Sequence, residues 1–278
     1  MMSSDAPRIT GIYHIHSDFS YDGKNRLAEI AAWAKVHELG FVLLTEHDLG
    51  FDQEKFDEYC RQCSNSSGDV LLVPGIEYEV IHEGAIIHIG AIGVPILLDR
   101  GTIEQGLIPL VEAIHRHGGL AVLHHPNNIK RVLTKKIIES FDFIELWNTK
   151  FDCGFGPNLQ FLRWLKGMHS SGPYLVSADI HDVGRFGKAN IAFIDMEIKA
   201  DNLQLSAIVN CMRQLRYRCR SGSWLFYPEG NCQIPNRLYW LLPVVCLIKK
   251  KVFRFARFFI PEKYRQAVYS RVNRSWIR

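Results

Sequence analysis

The sequence predicts an α/β fold: a mostly parallel sheet closed into a TIM-like barrel, followed by a basic, aromatic-rich C-terminal extension. Three observations predict it. Short apolar runs alternate with helix-period patterns through most of the chain. Polar, metal-competent side chains fall where those runs end. The composition, 47% hydrophobic and 22% charged over 278 residues, is that of one globular domain with a sizeable core. At this length a closed barrel is the commonest single-domain form of a repeated strand–helix alternation.

Taken in order, 11–15 (GIYHI) forms the first strand. The pattern over 25–39 sets Leu27, Ile30, Ala31 and Ala34 on one helical face and stops at Gly40, a residue suited to the left-handed position after a helix. Strands at 41–45 (FVLLT) and 70–76 (VLLVPGI) flank a helix over 53–63. The fourth strand is 85–92 (AIIHIGAI); a helix over 103–117 leads to the fifth, 120–125 (LAVLHH). Helix 133–140 precedes strand 141–147 (FDFIELW), and helix 158–169 precedes strand 174–178 (YLVSA). A last helix over 202–217 places Leu205, Ile208, Met212 and Leu215 on one stripe. Branched and aromatic residues fill most of the strand runs, as buried strands require. The segments 145–158 (ELWNTKFDCGFGPN) and 221–231 (SGSWLFYPEGN) read as loops whose aromatics cover the barrel rather than stack on a ligand ring.

Charge divides the chain unevenly. From residue 249 to 278 there are ten Lys or Arg against Glu262 alone, a net +9, so a total of +4 leaves −5 on the rest. We therefore expect a mildly acidic body over 1–235 and a basic extension over 236–278. The stretch 238–248 (LYWLLPVVCLI) is too short to span a bilayer. Together with the basic, aromatic segment after it, it suits packing against the barrel or an oligomer partner first, a peripheral membrane contact second, and nucleic acid least. Seven irregularly spaced cysteines favour a reducing compartment. Cys60 and Cys63 form a C-x-x-C with no second pair to complete a zinc site, so they read as ordinary helix cysteines. The first ten residues contain no apolar signal-peptide core, and the expected location is the cytoplasm.

The functional signal is where the polar residues fall. His14 and His16 end the first run, His47 and Asp48 the second, and Glu77 the third; His88 lies in the fourth; His124 and His125 end the fifth; Asp179 and His181 follow the seventh. In a parallel barrel the C-terminal strand ends share one face, so these residues converge although they span more than half the chain. Alternation along a strand sends His14 and His16 to the same side. Imidazoles and carboxylates without thiolates suit Zn²⁺, Mn²⁺ or Fe²⁺ better than Mg²⁺ or Ca²⁺. His37, His115 and His117 lie at helix ends and His82 and His169 in loops, outside this set.

In order and wording, the segments HIHSDFSYDG, LLTEHD, GIEYEV, IIHIG, HHPN and SADIHD resemble the motifs of the polymerase and histidinol phosphatase (PHP) family, over about residues 9 to 195. The resemblance implies a distorted barrel of seven β/α units that holds three divalent metal ions and hydrolyses phosphate esters. Carried over residue by residue, it implies that His14, His16 and Asp179 bind a first ion. Glu77 would bridge it to a second held by His88 and His125, and Asp22, His47 and His181 would hold a third. Two departures stand out: HHP where Ala-His-Pro is usual, and SADIH where Gly-Ser-Asp-x-His is usual. His125 directly precedes Pro126 as the family ligand does, which leaves His124 to packing or support.

The reaction this implies is attack on phosphorus by a hydroxide bridging two ions, with Asp179 or His181 returning a proton to the leaving alkoxide. Asp48 and Asp18 are candidates to orient ligand imidazoles, with capping or turn roles as the alternative. Lys130, Arg131 and Arg185, which follow strand ends, are candidates for binding a small phosphorylated substrate. Two other functions fit the same residues: a metal-dependent hydrolase of a non-phosphate substrate, and a binding module whose metal site is structural and whose tail engages a membrane or partner.

Overall fold

The structure is a computed structural model that describes residues 8–150, 152, 156–168, 173–185 and 191–233. The chain divides into two compact units, Met1–Gln233 and Ile234–Arg278, and all described residues lie in the first. The extension expected over 236–278, with its membrane, oligomer and nucleic-acid alternatives, lies outside the described residues, as does His169. Among the described residues no helix is long and apolar enough to cross a membrane.

The strands are β1 (Ile9–Ile15), β2 (Phe41–Leu44), β3 (Glu46–His47), β4 (Leu71–Val73), β5 (Gly75–His82), β6 (Ala85–Ile92), β7 (Leu120–Leu123), β8 (Phe143–Asn148), β9 (Tyr174–Ser177), β10 (Phe193–Met196), β11 (Tyr217–Ser221), β12 (Trp224–Phe226) and β13 (Cys232–Gln233). The helices are α1 (Leu27–Val36), α2 (Gln53–Ser66), α3 (Arg100–Glu104), α4 (Leu107–Arg116), α5 (Lys135–Ser140), α6 (Leu159–Gly167) and α7 (Leu205–Arg213). All seven expected strand runs form strands.

The strands form two sheets, in the orders β13-β12-β11-β10-β1-β2-β4 and β3-β5-β6-β7-β8-β9. The two sheets share continuous chain. Only Thr45 separates β2 from β3, and only Pro74 separates β4 from β5. A single parallel bridge, Ile15 with Ile180, joins the end of β1 to the segment after β9. Phe41, Val42, Leu43 and Leu44 on β2, and Leu120 to Leu123 on β7, are wholly buried, as expected of strands covered on both faces.

Several sequence expectations need correction. The sheet is mixed rather than mostly parallel. β6 runs antiparallel to both β5 and β7, because residues 83–84 turn the chain straight back with positive φ at Glu83 and Gly84. The strands from β10 to β13 form an antiparallel meander hydrogen-bonded to β1. Segment 221–231 is therefore strand β12 and its turns, not a loop, and its Trp224 and Phe226 pack on Trp147 at 5.9 and 5.8 Å between ring centroids. The expected helix over 103–117 is two helices broken at Gly106 (φ 107°). Pro109 has no N–H to continue a preceding helix and is tolerated in the first turn of a new one. Helix α1 ends at Val36, and Glu38 (φ 58°) rather than Gly40 takes the left-handed position. Gly40 is small for another reason: a Cβ there would stand 2.4 Å from Ile9 Cγ2. His82 ends β5 rather than lying in a loop.

Candidate metal centre

At His14 the backbone turns to φ 70° and the β1–β2 register slips between Tyr13 and Ile15. Strand β1 therefore bulges there, and His14 and His16 meet through the bulge rather than across a flat pleat. Their Nε2 atoms lie 3.7 and 3.4 Å from Asp179 Oδ1. Asp179 (φ 50°) follows β9 and is held in place by His16 N–H donating to Ile180 O at 2.8 Å and Ile180 N–H donating to His14 O at 3.0 Å. His125, just after β7, has φ 26°. Three of the six described non-glycine residues with positive φ are thus candidate ligands, so backbone strain concentrates at this site.

Glu77, 1% exposed, is the middle of the cluster. Its Oε1 lies 3.1 Å from His88 Nδ1 and 3.5 Å from both His14 Nε2 and His125 Nε2. Its Oε2 faces other imidazoles, His47 Nδ1 at 3.3 Å and His16 Nε2 at 3.6 Å. His88 reaches it from within antiparallel β6, not from the C-terminal end of a parallel strand. Asp22, in the loop after β1, spans His47 Nε2 at 3.5 Å and His181 Nε2 at 2.9 Å. Four overlapping groups result, each with its ligand atoms within 4.8 Å of one another: His14, His16 and Asp179; His16, Asp22, His47 and His181; His47, Glu77 and His88; and His14, Glu77, His124 and His125. All nine side chains singled out as ligands in the sequence are brought together. The grouping of Glu77 with His88 and His125 is divided between two groups, with those two rings 4.8 Å apart.

Two buried carboxylates that sequence reasoning missed orient these imidazoles. Glu145 on β8 accepts from His14 Nδ1 at 2.9 Å, from the His125 N–H at 2.6 Å, from Asn148 Nδ2 at 3.0 Å and from the Ser177 hydroxyl. Burial alone would raise its pKa; the charge and hydrogen bond of His14 bring it down to about 2. Glu46 accepts from the Ser17 N–H and from Ser20 Oγ, and Ser20 Oγ in turn accepts from the His47 N–H at 2.9 Å and lies 3.4 Å from His16 Nδ1. In both cases the Nδ1 side is engaged and Nε2 is turned inward, the usual support of a metal-binding histidine. The signal was a single acid inside an apolar strand run, in FDFIELW and LLTEHD. Asp48 and Asp18 do not take this role: Asp48 pairs with Arg100 at 3.0 Å, and Asp18 is exposed.

Six buried atoms of the cluster have no hydrogen-bond partner: His14 Nε2, His16 Nε2, His47 Nδ1, His88 Nδ1, Asp22 Oδ1 and Asp179 Oδ1. Each such group costs about 1–3 kcal/mol, so together they rival a domain's whole stability of roughly 5–15 kcal/mol. Cations would satisfy all six at once. Burial pushes His16 down to about 3 and lowers His47, leaving nitrogen lone pairs available at neutral pH. Burial also acts to lower His14 and His88, but Asp179 and Glu145 at His14 and Glu77 at His88 outweigh it and both are raised, so a cation binding there would displace a proton. Burial raises the Glu77 and Asp179 carboxyls, but the surrounding histidines, led by His14, outweigh it and hold both well below the usual range, so both stay ionised. The donor set therefore fits borderline divalent ions.

The cations chosen for substrate fare differently. Lys130 and Arg131 are exposed in the short turn Lys130–Val132, and Arg185 pairs with Asp182 at 2.9 Å in its own loop. Lys150, just after β8 and not anticipated, instead stands at the cluster, its Nζ 3.1 Å from Asp179 Oδ2 and 3.1 Å from His181 Nδ1. Tyr21, 65% exposed, stacks on His47 at 4.9 Å.

The PHP domain model matches residues 13–192, more than half of the chain. The chain belongs to the PHP family. That places it among metal-dependent hydrolases. No curated protein matches it. Among solved structures, the PHP chain is similar to Endonuclease Q in complex with a 27-mer duplex bearing an abasic lesion, at 17% identity and a TM-score of 0.50, covering 75% of this chain and 57% of that one. A Bifidobacterium adolescentis protein named for an inferred metal-dependent phosphoesterase activity matches at 16% identity and a TM-score of 0.46, over 65% of this chain and 90% of that one. An amidohydrolase from Chromobacterium violaceum with bound sulfate and no metal matches at 14% identity and 0.45, over 62% and 87%. At these identities the likeness concerns the PHP fold.

Proposed function

We propose that this PHP protein is a metal-dependent phosphoesterase acting on a small phosphorylated metabolite or nucleotide. The observation that carries the reading is Glu77: a buried carboxylate with each oxygen turned to a different set of imidazoles, among six unpartnered buried donor atoms. His14, His16 and Asp179 would hold one Mn²⁺, Fe²⁺ or Zn²⁺ ion, Glu77, His88 and His125 a second, and Asp22, His47 and His181 a third. Bound there, such ions supply Lewis-acid charge and activate a nucleophile at neutral pH.

The chain's own residues do the rest. Glu145 and the Glu46–Ser20 pair hold the His14 and His16 rings so that Nε2 faces inward. Lys150, anchored between Asp179 and His181, sets an ammonium where a phosphoryl oxygen would arrive, and Lys130, Arg131 and Arg185 serve as outer cations. Of the two residues expected to return the proton, His181 carries the one that the leaving alkoxide takes up, and Asp179, which stays ionised 3.1 Å from its Nδ1, orients that ring. Strands β1 to β9 are read as a ring of seven, with β2/β3 and β4/β5 each counted once and closure at Ile15 and Ile180; the bridge there and Thr45 N–H donating to Ile15 O at 3.0 Å support this. The two-unit division supports a hydrolase domain ending near residue 235, with the basic extension reserved for a membrane or oligomer contact.

Release of phosphate from sugar, amino-alcohol and nucleotide monophosphates, assayed with added Mn²⁺, tests the reading. Turnover of at least one ester, abolished by chelation, is expected. Turnover of an amide or lactone with none of any phosphate ester would overturn it.

A further inference from the structure

We propose that Tyr13 and His124 form a positioning relay for Glu77, in which the neutral His124 ring donates from Nδ1 to the carboxylate and binds no ion itself. The inference rests on the reading of Glu77 as a shared ligand, and deepens it.

His124 is the residue at which HHP departs from the usual Ala-His-Pro. Both of its ring nitrogens are engaged by protein. Nδ1 lies 2.6 Å from Glu77 Oε1, and Nε2 meets the Tyr13 hydroxyl. Tyr13 and His124 are fully buried and Glu77 is 1% exposed. In the proposed relay the ring proton sits on Nδ1, facing the carboxylate, and Nε2 accepts from the Tyr13 O–H. A neutral ring in that tautomer has no lone pair left for a cation, unlike His14 and His16, whose Nε2 atoms lack any partner.

Room for the relay is built into a third strand. A Cβ on Gly90 would stand 2.3 Å from His124 Nε2 and 2.4 Å from the Tyr13 hydroxyl, closer than any real contact allows. Gly90 sits opposite Glu77 in the β5–β6 register and opposite Val122 in the β6–β7 register. The His124 ring also stacks on that of His14 at 4.0 Å, 29° from coplanar. With one Oε1 lone pair taken by an N–H, the carboxylate cannot rotate, and its oxygens stay directed to their separate imidazoles.

The test uses the full chain, with Tyr13→Phe removing only the donor and His124→Ala removing the ring. Calorimetric titration with Mn²⁺ after chelation is read beside thermal unfolding of the metal-free proteins. Affinity is expected to fall about 10–100-fold in both variants with the number of bound ions unchanged. ¹⁵N-histidine spectra of the metal-free wild type should contain an Nδ1–H tautomer that disappears in His124→Ala and shifts in Tyr13→Phe. Loss of a whole equivalent in His124→Ala beside wild-type binding in Tyr13→Phe would make His124 a ligand and overturn the proposal. Wild-type affinity in both would reduce the pair to packing and overturn it equally. Should neither variant fold, an Nε2–H tautomer for His124 in the wild type would still overturn it. Failure of the underlying reading looks different: Glu77→Ala would then leave metal content intact.

Discussion

Lys150 illustrates what single residues contribute and how they escape notice in a sequence. Nothing in WNTK marks it, yet its ammonium lies against Asp179 and His181, where the phosphoryl group of the proposed substrate would sit. A hydrogen bond to a charged group is worth roughly 1.5–3 kcal/mol, so Lys150→Met should raise KM about 10–100-fold, measured on whichever ester is turned over, with metal content unchanged. By contrast the clustered histidines are legible, because His-x-His and Glu-His-Asp at the ends of apolar runs are rare and chemically specific. Glu145 and Glu46 were harder to see: each is one acid in a strand, and only the fold reveals that His14 and Ser20 occupy their oxygens. The choice of His125 over His124 from its neighbour Pro126 remains a proposal, because both rings fall in one group with His14 and Glu77.

Elements formed where apolar runs were continuous and went unseen where they were short or charged. β6 matches 85–92 residue for residue, whereas β11, with Arg218 and Arg220 alternating with buried Tyr217, Cys219 and Ser221, went unread as a strand, its first residue assigned to the helix over 202–217. Those arginines are drawn into the sheet by Asp195 on β10, a long-range pairing that no local pattern records. Strand direction was also invisible: AIIHIGAI reads the same whether parallel or antiparallel, and the two-residue turn at Glu83 and Gly84 decides it. Helix α2 allows a prediction at this scale. Its Cys63 is 1% exposed, and burial pushes the Cys60 thiol up to about 11 and Cys63 higher still. Both thiols stay protonated at neutral pH and make poor metal ligands or nucleophiles. A Cys60→Ser, Cys63→Ser double variant should bind as many metal equivalents as the wild type, measured by elemental analysis.

Across the whole molecule, residues from 14 to 181 meet because two sheets share continuous strands and one bridge, so the site belongs to the body rather than to any one loop. The account's central statement is that one buried carboxylate organises a multi-ion centre on which turnover depends. Elemental analysis of chelator-free wild type and Glu77→Ala, read with phosphate release from the same preparations, tests it most directly. We expect about three transition-metal equivalents in the wild type, fewer in the variant, and a loss of activity of at least about a thousandfold, on the scale of removing a main transition-state contact. A Glu77→Ala protein that keeps its full metal content and its turnover would contradict the account.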